Sequence, residues 1–246
     1  MMRSEVTELT KLTHQQIEGL RMFDTPTIAN AIERFNIRPR TEGAMTPEIK
    51  CILPYGKTMI GYACTAKVRA STPPTQEQLE NWMKYFEVLQ KTPRPAIAVI
   101  QDLDPEPVGS FWGEVNATTH KALGAVGVIT NGGVRDLNEV EELGFGFFAK
   151  CTLVTHAYIH IEEYNTPVTI GGVTVNPGDL LAADKHGVVL IPGEIAPDLA
   201  SACKLAGDAE MPVLENCRKA LAEGREVDLS QLKEWRAEMG RLRAKK

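Results

Sequence analysis

This chain of 246 residues lacks the features that mark several specialised protein classes. Its five cysteines form no CxxC pair and are odd in number, which indicates reduced thiols in a cytoplasmic protein rather than a disulfide framework. No apolar run approaches the length of a membrane span, and the first residues carry acids without an apolar core. We therefore expect neither a membrane partner nor a signal peptide.

The chain also has no excess of positively charged residues. Lys and Arg total 27 against 32 Asp and Glu, which gives a formal net charge of -5, and the only basic cluster is the tail 241–246. This balance predicts no nucleic-acid partner. No strand is followed by the glycine-rich loop of an adenosyl-cofactor enzyme, so a methyltransferase lacks support. Hydrophobic residues make up 43% and charged residues 24% of the chain, as in ordinary globular proteins.

The first 150 residues predict an alternation of helices and strands. Helical patterns occupy 14–35, with a fresh start at Asp24, and an irregular stretch follows over 36–58. Successive strand–helix units indicate an α/β core with parallel pairing. The later predicted elements are a half-buried strand over 61–69, a helix over 78–89, a buried strand over 96–100, a helix over 114–123, a strand over 126–130, a helix over 137–143 and a strand over 147–150.

From residue 151 the pattern changes to short strands separated by glycine-containing turns. It predicts an antiparallel meander of hairpins, which is too small to fold alone and therefore packs on the α/β core within one domain, 1–246. The remaining residues, 195–246, read as helical with interruptions at Pro212 and Gly224. The strands of the meander are expected at 168–170, 173–175, 180–183 and 188–191.

The segment from Gly127 to Val140 is the first candidate for a functional site. An apolar run ends at Asn131-Gly132-Gly133, where the two glycines permit positive φ and close backbone approach. Arg135 and Asp136 follow where a helix begins, so a guanidinium and a carboxylate are placed side by side to bind an anion and a divalent cation. The competing interpretation is structural, because Asp136 and Glu139 have the spacing of a capping box.

Glu114 is the second candidate, in the segment 109–116 that leads from a strand end into a helix. A helix start offers unpaired N–H groups and a positive dipole end to a carboxylate. Both loops follow strands of one sheet, so we expect Glu114, Arg135 and Asp136 to meet at the carboxyl ends of those strands. The alternative is that Glu114 only stabilises the first turn of its helix.

These motifs, together with Pro177–Pro192, resemble the RraA-like family, whose enzymatic branch contains the 4-hydroxy-4-methyl-2-oxoglutarate / 4-carboxy-4-hydroxy-2-oxoadipate aldolases. The resemblance covers a core of about 24–218, with helical extensions at 1–23 and 219–246. It implies an α/β fold of the swivelling β/β/α type, homotrimers or homohexamers, and active sites between subunits.

The resemblance also implies roles for individual residues. It assigns the pyruvate carboxylate and keto group to Arg135, a Mg²⁺ or Mn²⁺ ion to Asp136, and a metal-bound water to Glu114. A glutamate from a neighbouring subunit completes the metal site, for which Glu210 is the first candidate and Glu215 the second. Further substrate contacts are assigned to the turn glycine and the two amides that follow the acid, at Gly113, Val115 and Asn116. One departure is Asn131, where many relatives carry Asp.

We therefore expect a metal-dependent (class II) pyruvate aldolase. It would cleave a 4-hydroxy-2-keto acid such as 4-hydroxy-4-methyl-2-oxoglutarate and also decarboxylate oxaloacetate, because both reactions pass through the pyruvate enolate. The non-enzymatic alternative is a regulator that binds a ribonuclease, as some RraA-like proteins do. A Schiff-base aldolase using Lys67 or Lys150 is the chemical alternative. His156 and His160, predicted about 13 Å apart on one strand face, are too distant to share an ion and are expected in a core or interface.

Overall fold

Seven helices and twelve strands occupy the part of the chain that the structure describes, residues 11–244 of a computed structural model. The helices are α1 (His14–Leu20), α2 (Thr25–Glu33), α3 (Gln76–Lys91), α4 (Glu114–Ala122), α5 (Leu137–Leu143), α6 (Ala196–Ala222) and α7 (Leu229–Ala244). The strands are β1 (Lys50–Leu53), β2 (Met59–Arg69), β3 (Ala96–Asp102), β4 (Ala125–Thr130), β5 (Gly133–Val134), β6 (Gly146–Ala149), β7 (Cys151–Thr152), β8 (His160–Tyr164), β9 (Val168–Ile170), β10 (Val173–Val175), β11 (Leu180–Asp184) and β12 (Gly187–Ile191).

An eight-stranded mixed sheet forms the framework. Its order is β1-β6-β4-β3-β2-β11-β12, and β8 pairs with the outer part of β2. The central strands β2, β3, β4 and β6 run parallel, whereas β1, β8, β11 and β12 are antiparallel additions. The predicted α/β core with parallel pairing is confirmed. Because β3 and β4 are parallel neighbours, the loops that follow them leave the sheet at the same edge.

The sheet is covered on both faces, which corrects one sequence prediction. The strand at 61–69 was expected to be half-buried, yet the first eight residues of β2 are all buried. Side chains on the two faces of β2 enter different hydrophobic clusters. Cys64 packs with α3 and the aromatic residues around Trp112, and Ala63 packs with the β9–β10 hairpin. Strands buried on both faces read as apolar because neither face meets water.

Three further predictions were wrong in detail. β1 lies within the stretch expected to be irregular. The predicted meander is two separate hairpins, because β9 and β10 pair only with each other while β11 and β12 join the main sheet through β2. Pro212 does not interrupt α6, which ends only near Gly224, where φ is 64°. The helix packs against α2 and α7, and Nδ2 of Asn216 donates to the Pro212 carbonyl at 2.7 Å.

The two histidines of the 155–160 segment do not share a strand. β8 begins at His160, and His156 lies in the preceding loop, where Ala157 has a φ of 45°. His160 is 1% exposed, as expected of a core residue, whereas His156 is exposed. None of the five cysteines, all within the described range, forms a disulfide. Between residues 11 and 244, no helix has the length and apolarity needed to cross a bilayer.

Candidate active site

Two loops meet at the carboxyl edge of β3 and β4. The Ser110 hydroxyl lies 2.6 Å from the carbonyl of Trp112 and 2.7 Å from that of Gly133, so it joins the loop after β3 to the loop after β4. The Arg135 amide donates to the Trp112 carbonyl at 3.0 Å. These contacts place the start of α4 beside the start of α5, and so bring the two candidate segments together.

Asp136 has an unusual backbone and an outward-facing carboxylate. Its φ and ψ are 54° and 48°, in the left-handed region, and its side chain forms no cap on α5. The capping-box interpretation is therefore wrong, because a capping side chain requires an extended backbone at that position. Instead, Oδ2 of Asp136 accepts a hydrogen bond from the Glu114 amide at 2.9 Å. The left-handed turn thus directs the carboxylate to the neighbouring helix start.

Gly113 makes this approach possible. A Cβ atom at this position would lie 2.4 Å from Oδ2 of Asp136 and 3.2 Å from Nε of Arg135. The first distance is far inside van der Waals contact and the second is tight, so a side chain at 113 would displace the Asp136 carboxylate and crowd the Arg135 guanidinium. Gly132 and Gly133 serve close approach as well, but neither adopts positive φ. A Cβ at Gly133 would meet the Leu153 side chain at 2.5 Å.

A cavity of about 190 Å³ opens between the loops. Arg135 borders it with a half-exposed guanidinium, whose Nε lies 3.7 Å from Oδ2 of Asp136 and whose Nη1 donates to the Val154 carbonyl at 3.3 Å. Glu114 is exposed next to it and does not line its wall. The lining residues are Ser110, Phe111, Gly113, Val115, Asn116, Arg135, Asp136, His156 and Ile159.

Sequence reasoning had missed His156 and Ile159 as cavity residues. Both lie in or beside the loop between β7 and β8, far along the chain from the two motifs. Their positions depend on hydrogen bonds such as that from the Ser110 amide to the Thr155 carbonyl, at 2.9 Å. No local signal identifies such a pairing.

Glu210 lies elsewhere within one chain. It sits on α6, where Oε1 receives a hydrogen bond from Nη2 of Arg243 on α7 at 2.7 Å. It borders a different cavity, of about 310 Å³, which α2, α6 and α7 line. Glu215 is exposed on the same helix. A contribution of either residue to a neighbouring subunit's site stays a prediction.

Two buried titratable side chains lie on the elements that flank the first loop, Asp102 at the end of β3 and His120 on α4. Burial raises the pKa of Asp102 to about 6, and Oδ2 of this residue has no hydrogen-bond partner. Burial lowers the pKa of His120 to about 4. Nδ1 of His120 lies 2.6 Å from the Asn116 carbonyl, so it carries the proton, and Nε2 accepts from the Tyr85 hydroxyl at 3.2 Å. The neutral imidazole therefore supports the first turn of α4 from below.

The oxygen donors fit a hard divalent cation held by few protein ligands. Between residues 11 and 244 there is no cluster of three or more His, Cys, Asp or Glu side chains suited to a metal ion. Mg²⁺ commonly takes only one or two carboxylates and keeps several waters. Asp136, whose carboxylate is not used as a cap, is the residue in one chain that would hold such an ion, with Glu114 beside it.

A family model described as RraA-like (Aldolase/RraA) matches residues 25–190. The chain belongs to the RraA-like family. A relative from Methanocaldococcus jannaschii of uncharacterized function is 26% identical over 190 residues, 76% of this chain and 86% of the relative. A protein of Halalkalibacterium halodurans is 30% identical over 99 residues. Its name proposes that it is a 4-hydroxy-4-methyl-2-oxoglutarate aldolase. That match covers 40% of this chain and 47% of the relative.

Solved structures show the same fold. An uncharacterized protein from Pseudomonas syringae pv. tomato aligns with a TM-score of 0.72 and 20% identity, over 96% of this chain and 99% of that one. RraAS2 of Streptomyces coelicolor, described as an unusual member of the RNase ES inhibitor RraA protein family, aligns with a TM-score of 0.63 and 21% identity, over 82% and 94% of the two chains. The predicted RraA-like fold is thereby confirmed.

Proposed function

We propose that this protein is a divalent-metal-dependent lyase that cleaves a 4-hydroxy-2-keto acid to pyruvate and a second carbonyl compound. The observation that carries the proposal is the arrangement at the cavity mouth, where Asp136 adopts a left-handed backbone and offers its carboxylate beside the Arg135 guanidinium. Asp tolerates this conformation better than most residues, and here its carboxylate is not used as a helix cap but accepts from the Glu114 amide of the neighbouring loop. The name of the H. halodurans relative supports the same reaction class.

Arg135 is the group that binds the pyruvate half of the substrate. Its guanidinium is always charged and presents a planar fork that matches a carboxylate and the neighbouring keto oxygen. The Val154 carbonyl and the Asp136 carboxylate hold one edge of the guanidinium, and this fixes the direction of its remaining N–H donors. As the C3–C4 bond breaks, its electrons form the pyruvate enolate, and Arg135 stabilises the negative charge that develops on the enolate oxygen.

The first turn of α4 supplies additional donors. Gly113 caps this helix without a side chain, and the Glu114 amide is engaged by Asp136, which leaves the amides of Val115 and Asn116 as the donors for a substrate carboxylate. Backbone amides do not depend on the identity of the side chain. Val115 and Asn116 are therefore compatible with this role.

Asp136 would hold the Mg²⁺ or Mn²⁺ ion, which when bound would act as a Lewis acid toward the keto acid. Glu114 would accept the proton of the 4-hydroxyl through a water molecule. Loss of that proton converts C4 to a carbonyl carbon, the C3–C4 bond breaks, and the pyruvate enolate is protonated at C3. Decarboxylation of oxaloacetate produces the same enolate, so we propose it as a second activity.

The decisive experiment measures pyruvate release from a panel of 4-hydroxy-2-keto acids and from oxaloacetate. We expect EDTA to abolish turnover and Mg²⁺ or Mn²⁺ to restore it. Full turnover in EDTA would exclude the metal-dependent reaction. A protein that turns over no member of the panel, yet captures a ribonuclease and inhibits it, would support the regulator described for RraAS2 instead.

A homo-oligomer, trimer or hexamer, is part of the proposal, with Glu210 entering the neighbouring subunit's site. Mixing the R135A and E210A proteins tests this directly. Each variant alone would be inactive, but a site shared between one subunit of each kind would contain both Arg135 and Glu210. If the site is shared, mixed oligomers regain part of the activity. If Glu210 acts only within its own chain through Arg243, E210A retains activity by itself.

A further inference from the structure

We propose that His156 determines substrate specificity by binding a second carboxylate, carried on C4 of the keto acid. This inference rests on the proposed lyase function and extends it to the leaving half of the substrate. His156 lines the cavity together with Arg135 and Asp136, and it is exposed. It comes from a third loop, between β7 and β8, which contributes His156 and Ile159 to the cavity wall.

The loop that carries His156 is held in place from several directions. The Ser110 amide donates to the Thr155 carbonyl at 2.9 Å, and the Tyr158 amide donates to the Ala70 carbonyl at 3.1 Å. Nη1 of Arg135 donates to the Val154 carbonyl at 3.3 Å, which ties this loop to the proposed substrate-binding guanidinium. Because the loop is already held in place, little conformational entropy is lost when its imidazole binds a ligand. Such a side chain can define one end of a binding cavity.

The backbone of this loop is strained. Four non-glycine residues among the described ones have positive φ: Asn36, Asp136, Ala157 and Asn165. Asn and Asp tolerate this conformation, but alanine does not, at a cost of about 1–2 kcal/mol. Ala157 directly follows His156, and its amide is held by the Thr155 hydroxyl at 3.0 Å. A Cβ at Gly109 would meet the His156 carbonyl at 2.5 Å, so the turn is also pressed against the loop after β3.

The polar atoms of the cavity leave His156 as the group for a second anion. Among the described lining residues, the Ser110 hydroxyl is engaged by two carbonyls, and the Asn116 amide group donates to the Phe111 carbonyl. Nδ1 of His156 is engaged by the Ala157 carbonyl at 2.8 Å. Nε2 is the ring nitrogen that remains to meet a ligand.

Charge balance favours a carboxylate at this position. The charged groups that border the cavity or its mouth are Arg135, Asp136 and Glu114. Arg135, the amides of α4 and the proposed metal ion are all assigned to the pyruvate half, so a carboxylate on C4 needs a cation of its own. Besides Arg135, His156 is the lining side chain that can carry a positive charge, and both ring nitrogens of a charged imidazole are donors.

The test compares two substrates that undergo the same bond cleavage. 4-Hydroxy-4-methyl-2-oxoglutarate carries a carboxylate on C4, and 4-hydroxy-2-oxopentanoate does not. For H156A we expect KM for the first to rise roughly 10- to 100-fold, the range of a lost charged hydrogen bond. We expect kcat to change little and both constants for the second substrate to be unaffected. H156R, which keeps a cation, should recover part of the loss. H186A, at an exposed hairpin turn, is the matched control.

An equal rise of KM for both substrates, or a fall confined to kcat, would overturn the specificity role. If the unaltered protein turns over neither substrate, the lyase proposal fails independently. Binding of 2-oxoglutarate and 2-oxopentanoate, measured by NMR saturation transfer, then decides the histidine question. Preference for the dicarboxylate that H156A loses supports the proposal, and the absence of any preference overturns it. Thermal melting of H156A and H186A verifies that both variants fold.

Discussion

The side chain of Asn131 forms two hydrogen bonds with the backbone of Asp102. Its Oδ1 accepts from the Asp102 amide at 2.7 Å, and its Nδ2 donates to the Asp102 carbonyl at 2.9 Å. The side chain thereby imitates a strand partner and extends the pairing of β3 and β4 by one step beyond Thr130. A carboxamide can do this because it has a donor and an acceptor, whereas a carboxylate only accepts.

N131D should therefore destabilise the fold. Aspartate leaves the Asp102 carbonyl without its donor and adds negative charge near a buried carboxyl, so we expect a loss of about 1–3 kcal/mol in the free energy of unfolding. Urea denaturation at pH 7.5 measures it. N138D is the matched control, because the same change in the exposed first turn of α5 is favourable to the helix dipole. Equal stability of N131D and N138D would contradict the pairing role.

D136N should separate the charge of Asp136 from its backbone role. Asparagine tolerates the left-handed conformation and keeps an acceptor for the Glu114 amide, so stability should stay within about 0.5 kcal/mol of the parent, as is usual where no structural feature is lost. Apparent affinity for Mg²⁺, measured by activation of pyruvate release, should fall at least ~10-fold. D198N, in the exposed first turn of α6, should leave the metal activation unchanged, and loss of its interaction with the helix dipole should cost less than about 1 kcal/mol of stability. Unaltered metal activation in D136N would remove this residue from the proposed site.

R135K should lose most activity although it keeps the charge. An ammonium lacks the planar fork and loses the anchored edge on the Val154 carbonyl, so we expect kcat/KM for pyruvate release to fall roughly 100- to 1000-fold. R225K is the control, since Arg225 pairs with Glu223 on the surface. A R135K enzyme with more than half of the parental activity would show that a point charge suffices.

Asp102 and His120 should change the free energy of unfolding in opposite directions as the pH falls. The pKa of His120 falls from 6.5 to about 4 on folding, so the unfolded chain binds more protons between these values and acid destabilises the fold by up to about 3 kcal/mol. The pKa of Asp102 rises from 3.8 to about 6, so between those values acid favours the fold by a similar amount. Between pH 6 and 4 the two effects nearly cancel.

D102N removes one side of this balance. Relative to the parent, the free energy of unfolding of D102N should decrease by up to about 3 kcal/mol on going from pH 7 to pH 4. Urea titrations at four pH values give this difference, in which the contributions of all unaltered groups cancel. Parallel curves for the two proteins would show that Asp102 titrates normally in the fold.

Neither lysine considered for a Schiff base should be needed. Nζ of Lys67 pairs with Glu163 and Nζ of Lys150 pairs with Glu106, each at 2.8 Å, and neither residue lines the cavity. K67M and K150M should retain pyruvate release within about threefold, because exposed ion pairs contribute little. Borohydride with pyruvate should trap no adduct in the parent protein. An adduct that either variant abolishes would reverse this assignment.

The sequence by itself determined the elements whose patterns are local. The apolar run at 96–100, the break at 131–133 and the helical spacing after Asp136 predicted β3, the turn after β4 and α5 because each depends on neighbouring residues. It also predicted that Arg135 and Asp136 lie next to Glu114, because the loops that follow adjacent parallel strands leave the sheet at the same edge.

Only the tertiary structure decided how these groups point and what surrounds them. The competing interpretation gave Asp136 the backbone of a cap, but its backbone is left-handed, and its carboxylate accepts from the Glu114 amide beside Gly113. His156 enters the cavity because Ser110 and Ala70 hold its loop from distant parts of the chain. Such long-range packing leaves no periodic signal in the sequence, because the partners are separated by tens of residues and meet only once the sheet has formed.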